Sequence, residues 1–250
     1  MSAKRPIESN GPGVDRGSTT MACGPAFAVT RAVMTMLLGA MLLTAIQVVS
    51  ARAGEPKPAA VSERALAAKI EFCKTCHGLS AQGFRGATTM PRLAGQTVEY
   101  IEGQLNAFIE RRRANRFMYN VARVLSPEMR TALATHFSGL KAPPLRGGPR
   151  EFTAEDLMAE GKTIFEEGVP ARDVPPCLSC HGTQAKGDSA FPRLAGQPND
   201  YIVAKLTDWE TERGLDPSTP DFSITMLPIV RGLNKSQIKA VAAYLSELDP

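Results

Sequence analysis

The sequence predicts an all-α fold in which one helical module is used twice. Three observations carry this expectation. Met90–Leu105 (MPRLAGQTVEYIEGQL) returns as Phe191–Leu206 (FPRLAGQPNDYIVAKL), and Phe117–Leu140 returns as Thr225–Leu248. Apolar residues recur at helical spacing behind recognisable start signals, and few stretches alternate as half-buried strands do. The run Cys73-Lys-Thr-Cys-His77-Gly78 recurs as Cys177-Leu-Ser-Cys-His181-Gly182. Repetition on this scale marks one structural unit copied along the chain. The spacing between matched segments varies, so the copies differ in loop length: the first is longer between His and Pro, the second before its late methionine.

In each copy a helix leads toward the Cys-x-x-Cys-His run. Ser62 starts the first, with Leu66, Ile70 and Phe72 on its apolar side. Thr153-Ala-Glu-Asp156 starts the second in a capping-box-like pattern, followed by Leu157, Gly161, Ile164 and Phe165. After each Pro-Arg-Leu-Ala-Gly-Gln a second helix is expected, over Thr97–Arg113 and Asn199–Arg213. The last helix begins at Ser126-Pro127 in one copy, a cap residue followed by proline at the first helical position. In the other it begins at Asn234-Lys-Ser-Gln237, a capping box. Leu133, Phe137 and Leu140, and likewise Val241, Leu245 and Leu248, form the apolar stripes that face a core. Residues 54–140 and 153–250 are the expected domains. The connector 141–152, rich in proline and glycine, cannot continue a helix.

Residues 1–53 read as an export signal with a polar extension. Arg31 precedes the apolar run Ala32–Val49, and Ala51-Arg52-Ala53 offers an Ala-x-Ala cleavage site. Retention of the run as a membrane anchor is the competing reading, since its length approaches what a bilayer requires. Either way the two modules are expected outside the cytoplasm, in the periplasm. Four of the five cysteines belong to the repeated motifs and Cys23 lies in the leader, so no structural disulfide is expected.

Cys-x-x-Cys followed directly by His is the attachment signature of c-type haem. Two thiols, Cys73 with Cys76 and Cys177 with Cys180, add across the two vinyl groups of one porphyrin. The adjacent imidazole, of His77 or His181, then lies on the iron axis. Zinc is the alternative for Cys-x-x-Cys, but each pair would need two further ligands, and the only other histidine is His136. Two covalently bound haem c groups are therefore expected. For the sixth iron position the soft thioether of methionine suits an electron carrier. Met226 is the only methionine after the second motif, and the repeat pairs it with Met118. Met90 and Met129 align with Phe191 and Gln237 and are not repeated. Met118 and Met226 are the expected axial ligands.

The chain carries a formal charge of +4, with 43% hydrophobic and 22% charged residues, ordinary for soluble globular material. Gly54–Lys141 is basic and Ala142–Pro250 acidic. Two readings fit that dipole equally: orientation on a charged partner, or attraction between the halves across an interface. The run Arg111-Arg112-Arg113 with Arg116 reads mainly as a solvated helix end, Arg112 having an equivalent in Arg213.

Duplicated Cys-x-x-Cys-His-Gly, then Pro-Arg-Leu-Ala-Gly-Gln, a tyrosine, and a methionine ahead of a last helix together resemble the di-haem cytochrome c4 group. The resemblance spans roughly residues 60 to 249. It implies two class I cytochrome c domains related by a pseudo-twofold, with single electrons carried between redox complexes, typically toward a terminal oxidase. It also implies that a proline carbonyl, here Pro91 and Pro192, accepts the proton of each proximal imidazole. The late loops, Asn115–Met118 and Leu215–Met226, depart from the group's usual pattern. Expected partners are redox proteins: a membrane oxidase or reductase, or a periplasmic dehydrogenase. No nucleic acid is expected, and membrane contact only through partners or an uncleaved anchor. The alternatives are an electron-accepting subunit of a dehydrogenase (flavocytochrome-like, with any flavin on another chain) and a haem peroxidase or oxidoreductase with a displaceable methionine. The leading expectation is an electron-transfer protein rather than an enzyme.

Overall fold

A computed structural model describes residues 60–145, 155–213 and 222–250, without the side chain of Phe222. The leader, Cys23, Thr153 and residues 146–152 of the connector lie outside the described residues.

In the first half, α1 (Glu63–His77) starts at Ser62, whose hydroxyl accepts from the Ala65 N–H. It carries the whole Cys73–His77 motif and stops at Gly78, where φ is +89°. α2 (Val98–Ile109), α3 (Arg116–Ala122) and α4 (Pro127–Ser138) begin at Thr97, Asn115 and Ser126, and each cap side chain accepts a first-turn N–H. α2 packs on α4, and Ile70, Ile101, Leu105, Phe108, Leu133 and Phe137 fill the core between them and α1.

The second half has its own core, with Ile164, Phe165, Val174, Ile202, Val241 and Leu245. α5 (Glu155–Glu167) ends before the Cys177–His181 motif, which sits on a separate one-turn helix, α6 (Leu178–His181). The sequence pattern predicts a helix leading into the motif. Instead Gly168 takes φ +77°, and a bridge between Val169 and Val174 encloses a 3-10 turn, Pro170–Arg172. α7 (Asn199–Thr207) and α8 (Trp209–Glu212) replace the single helix expected to Arg213, with the break at Asp208. A 3-10 turn (Phe222–Met226) leads into α9 (Leu227–Gly232), and α10 (Lys235–Glu247) starts with the expected Asn234–Gln237 capping box. α10 lies across α5 so closely that a Cβ on Gly161 would stand 2.1 Å from the Ala240 carbonyl oxygen.

The halves meet through the repeated Pro-Arg-Leu-Ala-Gly-Gln segments. The Gln96 amide accepts from the Arg193 N–H at 2.7 Å and donates to the Arg193 carbonyl at 3.1 Å. The Gln197 amide does the same to Arg92, at 3.0 and 2.9 Å. Thr97 Oγ1 donates to the Ser189 carbonyl at 2.6 Å, whereas Pro198, its counterpart in the repeat, packs against Gly83.

The arginine run is not simply solvated. Arg113 is buried, stacks on Phe108, and donates to Gln104 Oε1 at 2.7 Å and to the Tyr201 hydroxyl at 2.8 Å. Its backbone bridges that of Arg213, which is buried over Trp209. Phe108 and Trp209 are equivalent in the repeat, so the environment of Arg213 matches that of Arg113 rather than Arg112. The one-residue offset is absorbed at Arg111, whose φ of +58° ends the helical path short of the expected Arg113.

Candidate haem-binding sites

His77 closes α1 and His181 closes α6; both imidazoles are buried. His77 Nδ1 lies 2.9 Å from the Pro91 carbonyl oxygen, and His181 Nδ1 lies 2.9 Å from that of Pro192. A carbonyl only accepts, so Nδ1 carries the proton in both rings and Nε2 keeps its lone pair. That is the tautomer a metal ligand needs, with the ring angle fixed by its second bond. Burial pushes both imidazoles below their ordinary pKa, against a smaller upward pull from the carbonyls. The backbone is shaped for this. Gly83 and Gly187 take φ of +93° and +73° and donate their N–H to the carbonyls of His77 and His181, folding each loop back over its histidine.

Cys73, Cys76, Cys177 and Cys180 form no disulfide with one another. In each pair one is half-buried and the other exposed. Burial raises the Cys73 and Cys177 thiols to about 11. Among the described residues no three His, Cys, Asp or Glu side chains gather as a bare-ion site would require.

Haem fits the residues present. A porphyrin needs apolar faces, two thiols beside a neutral imidazole, and donors for two carboxylates. Phe72, Phe117 and Val124 stand 56, 82 and 61% exposed, and large apolar side chains so uncovered mark a binding face. A cavity of about 280 Å³ beside Cys73 is lined by Lys69, Phe72, Val121 and Leu125. Arg85 Nε, Arg193 Nη1 and Trp209 Nε1 are buried donors with no partner among the described residues, which a carboxylate oxygen would satisfy. Burial first, and the neighbouring charge of Arg193 second, press the Arg92 guanidinium below its ordinary pKa. The Asp249 carboxylate pulls the other way on both Arg92 and Arg193. Sequence reasoning passed over Arg85, Arg193 and Trp209; repetition of Arg193 in both Pro-Arg-Leu-Ala-Gly-Gln segments was the available signal.

Met118 lies on α3, partly buried against the first core, with its N–H capped by Asn115 at 2.9 Å. Met226 ends the 3-10 turn, half-buried. Met129 is in the first core, and the Met90 backbone bridges that of Phe84. The His136 ring stands edge-on to Phe137, 5.2 Å between centroids.

Helical modules in tandem, each presenting Cys-x-x-Cys-His with a proline-oriented imidazole, define a c-type cytochrome. The Cytochrome c family pattern matches residues 158–249. Cytochrome c-552 of Acidithiobacillus ferridurans is 36% identical over 85% of this chain and 86% of its own length. A thiosulfate dehydrogenase electron acceptor of Stutzerimonas stutzeri is 34% identical over 70% of this chain and 78% of its own. The cytochrome c4 structure of Acidithiobacillus ferrooxidans superposes with a TM-score of 0.58 at 36% identity, covering 71% of this chain and 99% of that one. The chain belongs to the di-haem cytochrome c4 group. It carries two covalently bound haem c groups and transfers electrons.

Proposed function

We propose that residues 54–140 and 153–250 each hold one haem through two thioethers, the first through Cys73 and Cys76, the second through Cys177 and Cys180. His77 and Met118 are the axial ligands of the first iron, His181 and Met226 those of the second. The protein works in the periplasm, delivered by the leader 1–53. The matched pair of 2.9 Å bonds from His77 and His181 to Pro91 and Pro192 is the observation that carries this reading.

When bound, haem supplies a one-electron iron couple. The chain's own residues make that couple a carrier. Each Pro carbonyl holds the imidazole proton at Nδ1, so the Nε2 lone pair stays directed and unprotonated. Met118 and Met226 would hold the iron through soft thioether sulfur, which would favour the reduced state and exclude water and small substrates. With protein ligands alone on the iron, electron transfer would require no bond to be made or broken.

The partner is a redox protein. Delivery toward a terminal oxidase is the primary reading. The similarity to a thiosulfate dehydrogenase electron acceptor supports a second, in which a periplasmic dehydrogenase is the donor. The far-red absorption of the oxidised holoprotein tests the sites: a methionine–iron band sized for two haems, with no carbon monoxide binding on reduction, is expected. A band for one haem, or carbon monoxide binding, overturns one of the methionine assignments. Rapid mixing with a thiosulfate dehydrogenase and with a membrane oxidase then separates the two partner readings by rate.

A further inference from the structure

We propose that Gln96 and Gln197 are positioning residues, each tuning the iron of the opposite domain through a single peptide group. The inference rests on His77 and His181 being the iron ligands. His77 Nδ1 donates to the Pro91 carbonyl at 2.9 Å. The N–H of that same peptide bond belongs to Arg92, and it donates to Gln197 Oε1 at 3.0 Å. In the other half His181 Nδ1 donates to the Pro192 carbonyl at 2.9 Å, and the Arg193 N–H donates to Gln96 Oε1 at 2.7 Å. Two hydrogen-bond chains result, each running from an imidazole, through one amide, to a glutamine of the other domain.

The carbonyl and N–H of one peptide share a delocalised bond. When Oε1 accepts the N–H, electron density moves toward the carbonyl oxygen, which becomes a better acceptor; bonds in such chains polarise one another. A stronger pull on Nδ1–H makes the imidazole more basic at Nε2. A more basic ligand stabilises ferric iron and lowers the potential. The second bond of each amide, from Nε2 to the carbonyl of Arg193 or Arg92 at 3.1 or 2.9 Å, stops it rotating away. Gln96 and Gln197 are buried, 3 and 5% exposed, so water does not compete for these positions. Joining the domains would need only some amide at the junction. Here both glutamines select the one peptide bond that orients the opposite ligand. Each iron therefore receives its full proximal tuning only while the domains are docked.

The test uses full-length holoprotein with Gln96→Met and Gln197→Met made separately, and Tyr201→Phe as a control that removes a different cross-domain bond. Labelling with ¹⁵N-histidine reports the Nδ1–H resonances of His77 and His181, and spectroelectrochemistry reports the two potentials. Gln96→Met is expected to shift the His181 resonance to lower frequency and raise the potential of the second haem, leaving His77 and the first haem unchanged. Gln197→Met should do the reverse, and Tyr201→Phe neither. A shift in the variant's own domain, equal shifts in both, no shift, or the same shift from Tyr201→Phe overturns the proposal. Should a methionine variant not fold, Gln96→Glu keeps and strengthens the acceptor, and it must move both readouts in the opposite direction or the proposal fails. If His77 and His181 were not ligands, the unmutated ferric protein would show their resonances without a paramagnetic shift. That separates the two failures.

Discussion

The Arg113 guanidinium reaches from the first half of the chain to the Tyr201 hydroxyl of the second, 2.8 Å away. It lies on the Phe108 ring, 4.9 Å from the centroid, and spends another donor on Gln104. A buried cation satisfied in this way is costly to truncate, because the groups left behind lose their partners. Arg113→Ala should destabilise the folded protein by about 3 kcal/mol, measured by urea unfolding. Arg113→Lys keeps the charge but loses the planar fork and should recover less than half of that.

Two helical glycines predict opposite outcomes for the same substitution. A Cβ on Gly161 would stand 2.1 Å from the Ala240 carbonyl oxygen, so Gly161→Ala must force α5 from α10. A loss of about 2–3 kcal/mol follows. Gly103, in α2, has nothing within 4 Å of its would-be Cβ. Gly103→Ala should stabilise by about 0.5–1 kcal/mol, seen as a higher thermal midpoint.

Removing the second attachment site tests how far haem completes the core. Each half is under roughly a hundred residues, a size at which side chains alone bury little surface. In Cys177→Ser/Cys180→Ser the second haem should be lost, the circular dichroism helical signal should fall, and limited proteolysis should cut within α5–α10 first. An intact second half would show that the side-chain core suffices.

Much of this arrangement was legible in the sequence because the chemistry is local. Cys-x-x-Cys-His is contiguous, and the caps at Ser62, Ser126 and Asn234 lie within four residues of the donors they satisfy. The connection of Pro91 and Pro192 to the histidines was readable only through family resemblance, since it spans a loop. What stayed hidden depends on the other half of the chain. Arg113 reads as a surface charge until Tyr201 is brought beside it. The clamping role of Gln96 and Gln197 is invisible while each repeat is considered alone. The break before Cys177 escaped because Gly168 sits at a helix end, where glycine signals termination but not the detour that follows.

The reciprocal contact of Gln96 with Arg193 and Gln197 with Arg92 carries a consequence for ancestry. Each half offers both a gripping amide and a backbone for the other half's amide, so the contact is self-complementary, the form found in twofold dimers. An unlinked single-domain precursor would pair with its own copy through the same four bonds. Tethering replaces that concentration-dependent encounter with an intramolecular one. It also frees the partners to differ. Thr97 reaches Ser189 on one side while Pro198 presses on Gly83 on the other, a difference that no dimer of identical chains could encode.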